Sequence, residues 1–289
     1  MRLASKITGH ALSLLLILLL GGLLSATLVR LAPGFDADEQ ELDPHLNAQS
    51  LQALHAARHH DDNLLRFYFS YMRRALHGDL GTSLALGQPV RTLLHDRIPL
   101  TMRLLVTGLG LAWMVSLALA LSAAWLDISA YDALTTVVSG MFLCIPAAVL
   151  ALLSVLWNIS GSLVIGLIVF PHTYRYTRNL LTKAYGRPHI LAAKAKGIGE
   201  ARILFRHVVP VVGPQLLALA GVSVTMAVGA AIPVEALCGL PGVGQLAWQA
   251  ALARDLPLLV NITLLVTLVT LLANSAADVI GHVMRRPEA

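Results

Sequence analysis

Ala192-Ala193-Lys194-Ala195-Lys196-Gly197, then nine residues, then His207-Val208-Val209-Pro210: the reading of the fold turns on this order of residues. It lies in the stretch 175–210, the strongly basic part of a largely apolar chain. Pro188 suits the first turn of a helix, where its missing N–H costs nothing. Residues 190–196 continue with good helix formers, and Lys194 and Lys196 complement the negative end of the helix dipole. Gly197 and Gly199 are both placed to take the left-handed conformation that ends a helix. Glu200 then falls in the first turn of a second helix, which runs to Pro210 and the next apolar run. The pattern predicts a short helix, a glycine turn and a second helix entering a bilayer. The small Ala192 and Ala193 would let the short helix lie deep in a partner's cleft, with Gly197 making the bend that holds it there.

The rest of the chain supplies the bilayer. It is 56% apolar and 13% charged, about half the roughly 25% charged content of an ordinary soluble domain. Runs of about twenty apolar residues match a hydrocarbon core of roughly 30 Å, and runs of that length satisfy their backbone as helices. The first covers residues 11–29 after Arg2 and Lys6. It is longer than the apolar part of a signal peptide and is not followed by a small-residue cleavage site, so it reads as an uncleaved helix. Further spans are expected at 104–126, 133–157, 161–181, 211–234 and 258–283. The fourth is short in its apolar part and meets Arg175 and Arg178, whose long side chains can snorkel to the surface. The expected fold is an all-α integral membrane protein with about six transmembrane helices in a single domain over 1–289.

Lysine and arginine orient it. Arg175, Arg178, Lys183, Arg187, Lys194, Lys196, Arg202 and Arg206 stand against the single acid Glu200. Together with Arg2, Lys6, Arg285 and Arg286 they put residues 182–209 and both termini in the cytoplasm. The turn 127–132 lies on the same side but carries Asp127 and Asp132 and no base, against the trend. Residues 31–98 are then an external segment. The net charge of +5 sits mainly in loops beside anionic lipid and carries no reading of nucleic-acid binding. Cys144 and Cys238 fall within separate helices and form no disulfide framework.

The loop at 192–210 resembles the ATPase-coupling loop of binding-protein-dependent ABC importer permeases, and other segments resemble the dipeptide/oligopeptide/nickel branch of that family, its B-type subunit in particular. These are Leu31-Ala32-Pro33-Gly34, Gly78-Asp79-Leu80-Gly81-Thr82-Ser83, Gly87-Gln88-Pro89-Val90 and Arg97-Ile98-Pro99-Leu100-Thr101. Pro146 also matches, as do Val234-Glu235, Leu240-Pro241-Gly242-Val243-Gly244, Ala253-Arg254-Asp255-Leu256-Pro257, and Asn274 with Asp278. The resemblance implies a permease that moves a small solute, di- or oligopeptide first and nickel or another small solute as the alternative. It implies four kinds of partner: a homologous second permease, cytoplasmic ATPase subunits, an external solute-binding protein and the lipid bilayer. ATP and Mg would be bound by the partner ATPase and no cofactor by this chain, which contains no G-x-x-x-x-G-K-[ST] phosphate loop. By the same resemblance Leu191, Ala192, Ala193, Lys196, Gly197 and Pro210 form the coupling element. Glu235, Pro241, Gly242, Asn274 and Asp278 line the translocation path or an interface, and no residue is catalytic. The location implied is the bacterial inner membrane.

The chain departs from the family at Asp127 and Asp132, where bases are usual, and at Leu191, where arginine or glutamate is usual. Its connection between helices three and four is cut to residues 158–161, and Arg285-Arg286-Pro287 replaces the usual Asp-Pro-Arg ending. His55, His59 and His60 with Asp61 and Asp62 have spacings that could hold a divalent metal. They form no closed ligand set, and a solvated polar helix face accounts for them. Glu235 is expected at the outer end of helix five, lining the route or touching the binding protein, or simply reaching the water interface. Asn274 and Asp278 are four apart and should face protein rather than lipid, with Arg285 or Arg286 as partner. An intramembrane hydrolase, with Ser139 and His282 as nucleophile and base, is the alternative from another class. No nucleophile or zinc-binding signature supports it.

Overall fold

The computed structural model describes residues 16–17, 19–24, 27, 72–75, 77–126 and 128–284. Those residues are helical apart from turns and one isolated antiparallel bridge, Thr82 to Pro89. Leu31–Gly34, the His55/His59/His60 group, Asp127, Arg285 and Arg286 lie outside the described residues. The chain divides into two compact units, one of Met1–Asp96 with Leu246–Leu268 and one of Arg97–Gln245 with Val269–Ala289.

In the first unit, Leu19 and Leu23 of the first helix pack with Met72, Ala75 and Leu264 around Leu256 and Val260. Gly78, Gly81 and Gly87 take positive φ, folding residues 77–89 into tight turns that a side chain would strain. The backbone bonds Val90 N–H to Gly81 O (3.0 Å) and Ser83 N–H to Gln88 O (2.9 Å) close them.

The second unit holds most of the long helices. Helix α1 spans Val90–Leu126 and begins fourteen residues before the apolar run from which it was expected, with Pro99 inside it. Hydropathy marks where a helix turns apolar, and nothing in its polar first turns opposes helix except that proline. The expected third span is broken instead of straight. α2 (Ser129–Cys144) and α3 (Ala147–Leu156) meet at 92°. Pro146 clashes with an α-conformation at the residue before it, so Ile145 is extended (φ −89°, ψ 119°) and the hydrogen-bond ladder stops there. Pro146 then opens α3 by accepting from Val149 N–H and Leu150 N–H.

The shortened connection that follows is a single turn. Asn158 takes φ 52°, a conformation asparagine tolerates better than most residues, and Ile159 N–H reaches back to Ser154 O at 2.8 Å. Helix α4 (Gly161–Tyr185) leads from there to the charged loop. It packs on α1 where two glycines meet. A Cβ on Gly108 would stand 2.9 Å from Ser162 O, and one on Gly166 would stand 3.2 Å from Gly108 O. Small residues let membrane helices approach backbone to backbone. Gly108→Val should therefore lower stability by about 1–3 kcal/mol through overpacking. Gly110→Val, where nothing lies within 4 Å, should be near neutral. Thermal unfolding of the two variants in detergent checks this; equal midpoints would refute the close crossing.

The loop contributes α5 (Pro188–Ala195) and the short α6 (Glu200–Ile203), followed by a π-helical turn over Leu204–Val208. Three more helices are α7 (Val209–Leu237), α8 (Val243–Leu252) and α9 (Leu256–Met284). Within the second unit α7 meets α9 at another glycine: a Cβ on Gly221 would lie 2.9 Å from Asn274 Oδ1 and 3.1 Å from Ala277 Cβ. Among the described residues, three stretches are long and apolar enough to cross a membrane: Val90–Trp125, Glu200–Leu237 and Leu256–Gly281. The bent α2–α3 pair is a fourth if it is one span.

Candidate functional site

The short helix of the charged loop forms as expected, with Pro188 in its first turn and Arg187 extended before it. It ends in a Schellman motif. Gly197 takes φ 72°, and Ile198 N–H donates to Ala193 O at 3.2 Å. Gly199 does not share that conformation. At φ −60° and ψ 144° it is the extended N-cap of α6, because one left-handed residue already reverses the chain. Glu200 stands in the first turn of α6 and pairs with Lys194 at 2.9 Å; the same ammonium lies 5.0 Å from the centre of the Tyr185 ring. Loop and turn are thereby tied on both sides.

The two alanines face opposite ways. Ile190 and Ala193 are buried at 0% and 7% exposure, whereas Leu191 is 53% exposed and Ala192, Ala195 and Lys196 are open. Ala193 thus seats the helix on its own chain, and the outward face is built on Leu191, Ala192 and Ala195. From Glu200 the backbone stays helical to Leu237. It is interrupted by the π turn, where Val209 N–H donates to Leu204 O, with Pro210 in the first turn of α7 and Pro214 and Pro233 inside it.

At the far end of α7, Glu235 is fully buried and does not reach water. It accepts from Thr101 Oγ1 (2.7 Å), Gly244 N–H (2.6 Å) and Gln245 N–H (3.3 Å). Thr101 Oγ1 in turn accepts from Val243 N–H at 2.8 Å, and Arg97 Nη1 holds Gln245 Oε1 at 3.0 Å. The chain reaches this carboxylate by a second Schellman turn, with Gly239 at φ 65° and Leu240 N–H on Glu235 O. A Cβ on Gly242 would collide with the carboxylate, and one on Gly244 would stand 2.7 Å from Ile232 Cα. The glycines of Leu240-Pro241-Gly242-Val243-Gly244 are what let this turn close over Glu235. Pro241, at its tip, is exposed.

A second buried carboxylate, in the first unit, stands out in the sequence only as part of a motif. Asp255 N-caps α9 by accepting from Leu258 N–H at 3.1 Å. Its other oxygen accepts from Ser83 Oγ (2.5 Å) and Ala85 N–H (3.1 Å), while Asn261 Nδ2 donates to Leu80 O at 2.9 Å. Asp255 followed by Leu256-Pro257 is a helix-start signal that sequence inspection could have used. Its bond to Ser83, far away in the chain, has no local signature.

Asn274 faces protein as expected: Nδ2 donates to Thr225 Oγ1 (3.1 Å) and Thr270 O (2.8 Å). Asp278, one turn on, is exposed. The anomalous Asp132 is explained by Arg178, which forms a two-pronged ion pair with it between α2 and α4. Tyr174 adds a hydroxyl bond to Thr135 at 2.6 Å in the same seam. Ser139 is buried and donates to Thr136 O at 2.9 Å, and the side chain of His282 lies outside the described residues. Both thiols are free, Cys238 approaching Ser154 Oγ at 3.3 Å.

Membrane-length helices, with a short Schellman-ended helix just before one of them, make this a helical membrane protein. Residues 128–286, more than half the chain, match the family of the binding-protein-dependent transport system inner membrane component, and the protein belongs to that family. It is similar to the oligopeptide transport system permease protein OppB of Salmonella typhimurium, at 29% identity over 84% of this chain and 85% of that one. The OppB protein of Escherichia coli K12 matches equally well, with the same identity and coverage. A crystal structure of the MetNI methionine ABC transporter in an inward-facing conformation shares the fold. Its TM-score is 0.61 at 17% identity, over 68% of this chain and 98% of that chain. This is a multi-pass inner-membrane permease subunit of a binding-protein-dependent ABC transporter, working with a binding protein and an ATPase; the family carries no ATPase domain of its own.

Proposed function

We propose that this permease imports a small solute, a di- or oligopeptide, in a pair with a homologous second permease above cytoplasmic ATPase subunits. The observation that carries the mechanism is the Schellman-ended helix Pro188–Ala195, with a small, open face on Leu191, Ala192 and Ala195. That face enters a cleft of the ATPase. Closure of the ATPase pair moves α5, the Lys194–Glu200 pair and the glycine turn pass the displacement to α6, and the continuous helix to Leu237 carries it across the membrane. The peptide assignment is supported by the names of the OppB relatives over most of their length.

The chain crosses the membrane six times, with both termini and residues 182–209 in the cytoplasm, an orientation supported by the lysine and arginine distribution. Cysteine accessibility tests it. With Cys144 and Cys238 replaced by serine, a membrane-impermeant maleimide should label His60→Cys in sealed cells and leave Lys194→Cys untouched until the cells are opened. The reverse pattern would overturn both the topology and the docking of this loop.

A further inference from the structure

At the base of the charged loop, a cavity of about 310 Å³ lies between the C-terminal end of α4 and the start of α7. Its polar rim is Lys183, Arg187, Tyr176 and Gln215, and its floor is Leu180, Val211 and Val212. The rim holds two cations and no acid. Among the described residues, the acids near this cavity are already paired. Asp132 is paired with Arg178, and Glu200, the only acid of the loop, with Lys194. Among the described residues Lys183 and Arg187 have no ion pair, and both are exposed.

The floor selects among anions. A free inorganic anion gains nothing from leucine and valine, whereas an anion attached to hydrocarbon satisfies both parts of the cavity. Basic recesses between membrane helices on the cytoplasmic side are suited to the phosphates of anionic lipids. Arginine grips a phosphodiester with paired N–H donors and lysine as a mobile point charge. We propose that this cavity binds the phosphate of an anionic phospholipid, with Lys183 and Arg187 on the phosphate oxygens and the glycerol and upper acyl carbons over Leu180 and Val212. The site stands at the root of α5. Arg187 is also the N-cap residue of that helix, so lipid occupancy would fix the angle at which the coupling helix leaves the membrane. The proposal rests on the cytoplasmic placement of residues 182–209.

The test uses the assembled transporter in nanodiscs and spin-labelled phosphatidylglycerol as probe, reading the motionally restricted fraction against labelled phosphatidylcholine. Lys183→Gln with Arg187→Gln should weaken the preference for phosphatidylglycerol on the order of tenfold. The exchange Lys183→Arg with Arg187→Lys should keep it. Arg202→Gln with Arg206→Gln removes the same charge outside the cavity and should cost clearly less. Equal losses in the two neutralised variants would mean diffuse surface charge and overturn the site. Displacement of the lipid by soluble glycerol phosphate would make it a free-phosphate site. Loss of ATPase subunits with lipid preference unchanged would assign the two cations to the ATPase interface instead. Nanodiscs expose both faces, so a failure of the topology is read from the maleimide labelling and a failure of the site from the lipid.

Discussion

Gly197→Leu should abolish ATP-driven uptake while the permease still inserts into the membrane. The residue sits at φ 72°, and a Cβ added there would meet nothing within 4 Å, so the penalty is conformational and not a clash. A branched side chain in the left-handed region costs about 1–2 kcal/mol. The chain escapes that cost by unwinding the Schellman turn, which loses the Ile198 to Ala193 bond and re-aims the helix. A loss of about 1.4 kcal/mol in docking weakens ATPase association tenfold. Gly197→Asn, which accepts the same backbone region, should retain most of the function. Uptake of a labelled peptide into proteoliposomes and co-purification of the ATPase read the two effects. Normal values for both with Gly197→Leu would leave the loop as a lipid-surface element.

The face of the helix can be tested in the same assay. Ala192→Trp should block docking with the fold intact, because Ala192 is open. Ala193→Trp should instead lower the yield of folded protein, because Ala193 is buried in its own chain. Identical behaviour of the two variants would contradict the assigned faces.

Glu235→Ala should be among the most destabilising single changes in the chain. It strands the Thr101 hydroxyl and the Gly244 and Gln245 amides in a site with no exposure to replace their acceptor. Each buried group left unsatisfied costs about 1–3 kcal/mol, so three of them together amount to several kcal/mol. Glu235→Gln should destabilise less, since the amide can turn its oxygen to the Gly244 and Gln245 N–H groups and its nitrogen to the Thr101 hydroxyl, which can accept. Thermal unfolding in detergent should show a large drop for alanine and a smaller one for glutamine. A wild-type midpoint for Glu235→Ala would mean that the turn over 239–245 does not depend on this carboxylate.

Several parts of this protein could be read directly from its residues. Pro188, the helix formers after it, Gly197 and Glu200 specify helix, turn and helix because capping and left-handed backbone are local properties. The existence of apolar helices at 104–126, 211–234 and 258–283 follows equally locally, since a bilayer-length run has no other way to satisfy its backbone. The carboxylate clamps were not legible in this way. Glu235 is a lone acid after an apolar run, and only folding brings Thr101, 134 residues away in the chain, and the amides of 244 and 245 around it. The same holds for Asp255 with Ser83, 172 residues apart, and for Asp132, whose misfit with the loop charges is resolved by Arg178 across a helix interface.

Exposure divides the same way. Ala192 and Ala193 are chemically identical neighbours, and which one is open depends on the face that Ile190 seats. Composition and spacing by themselves determined the membrane class, the helix–turn–helix of the charged loop and the placement of most of the described helices, because those depend on runs and near neighbours in the chain. The bend at Pro146, the burial of Glu235 and the outward face of the helix Pro188–Ala195 were decided by tertiary structure, because each depends on side chains that only packing brings together.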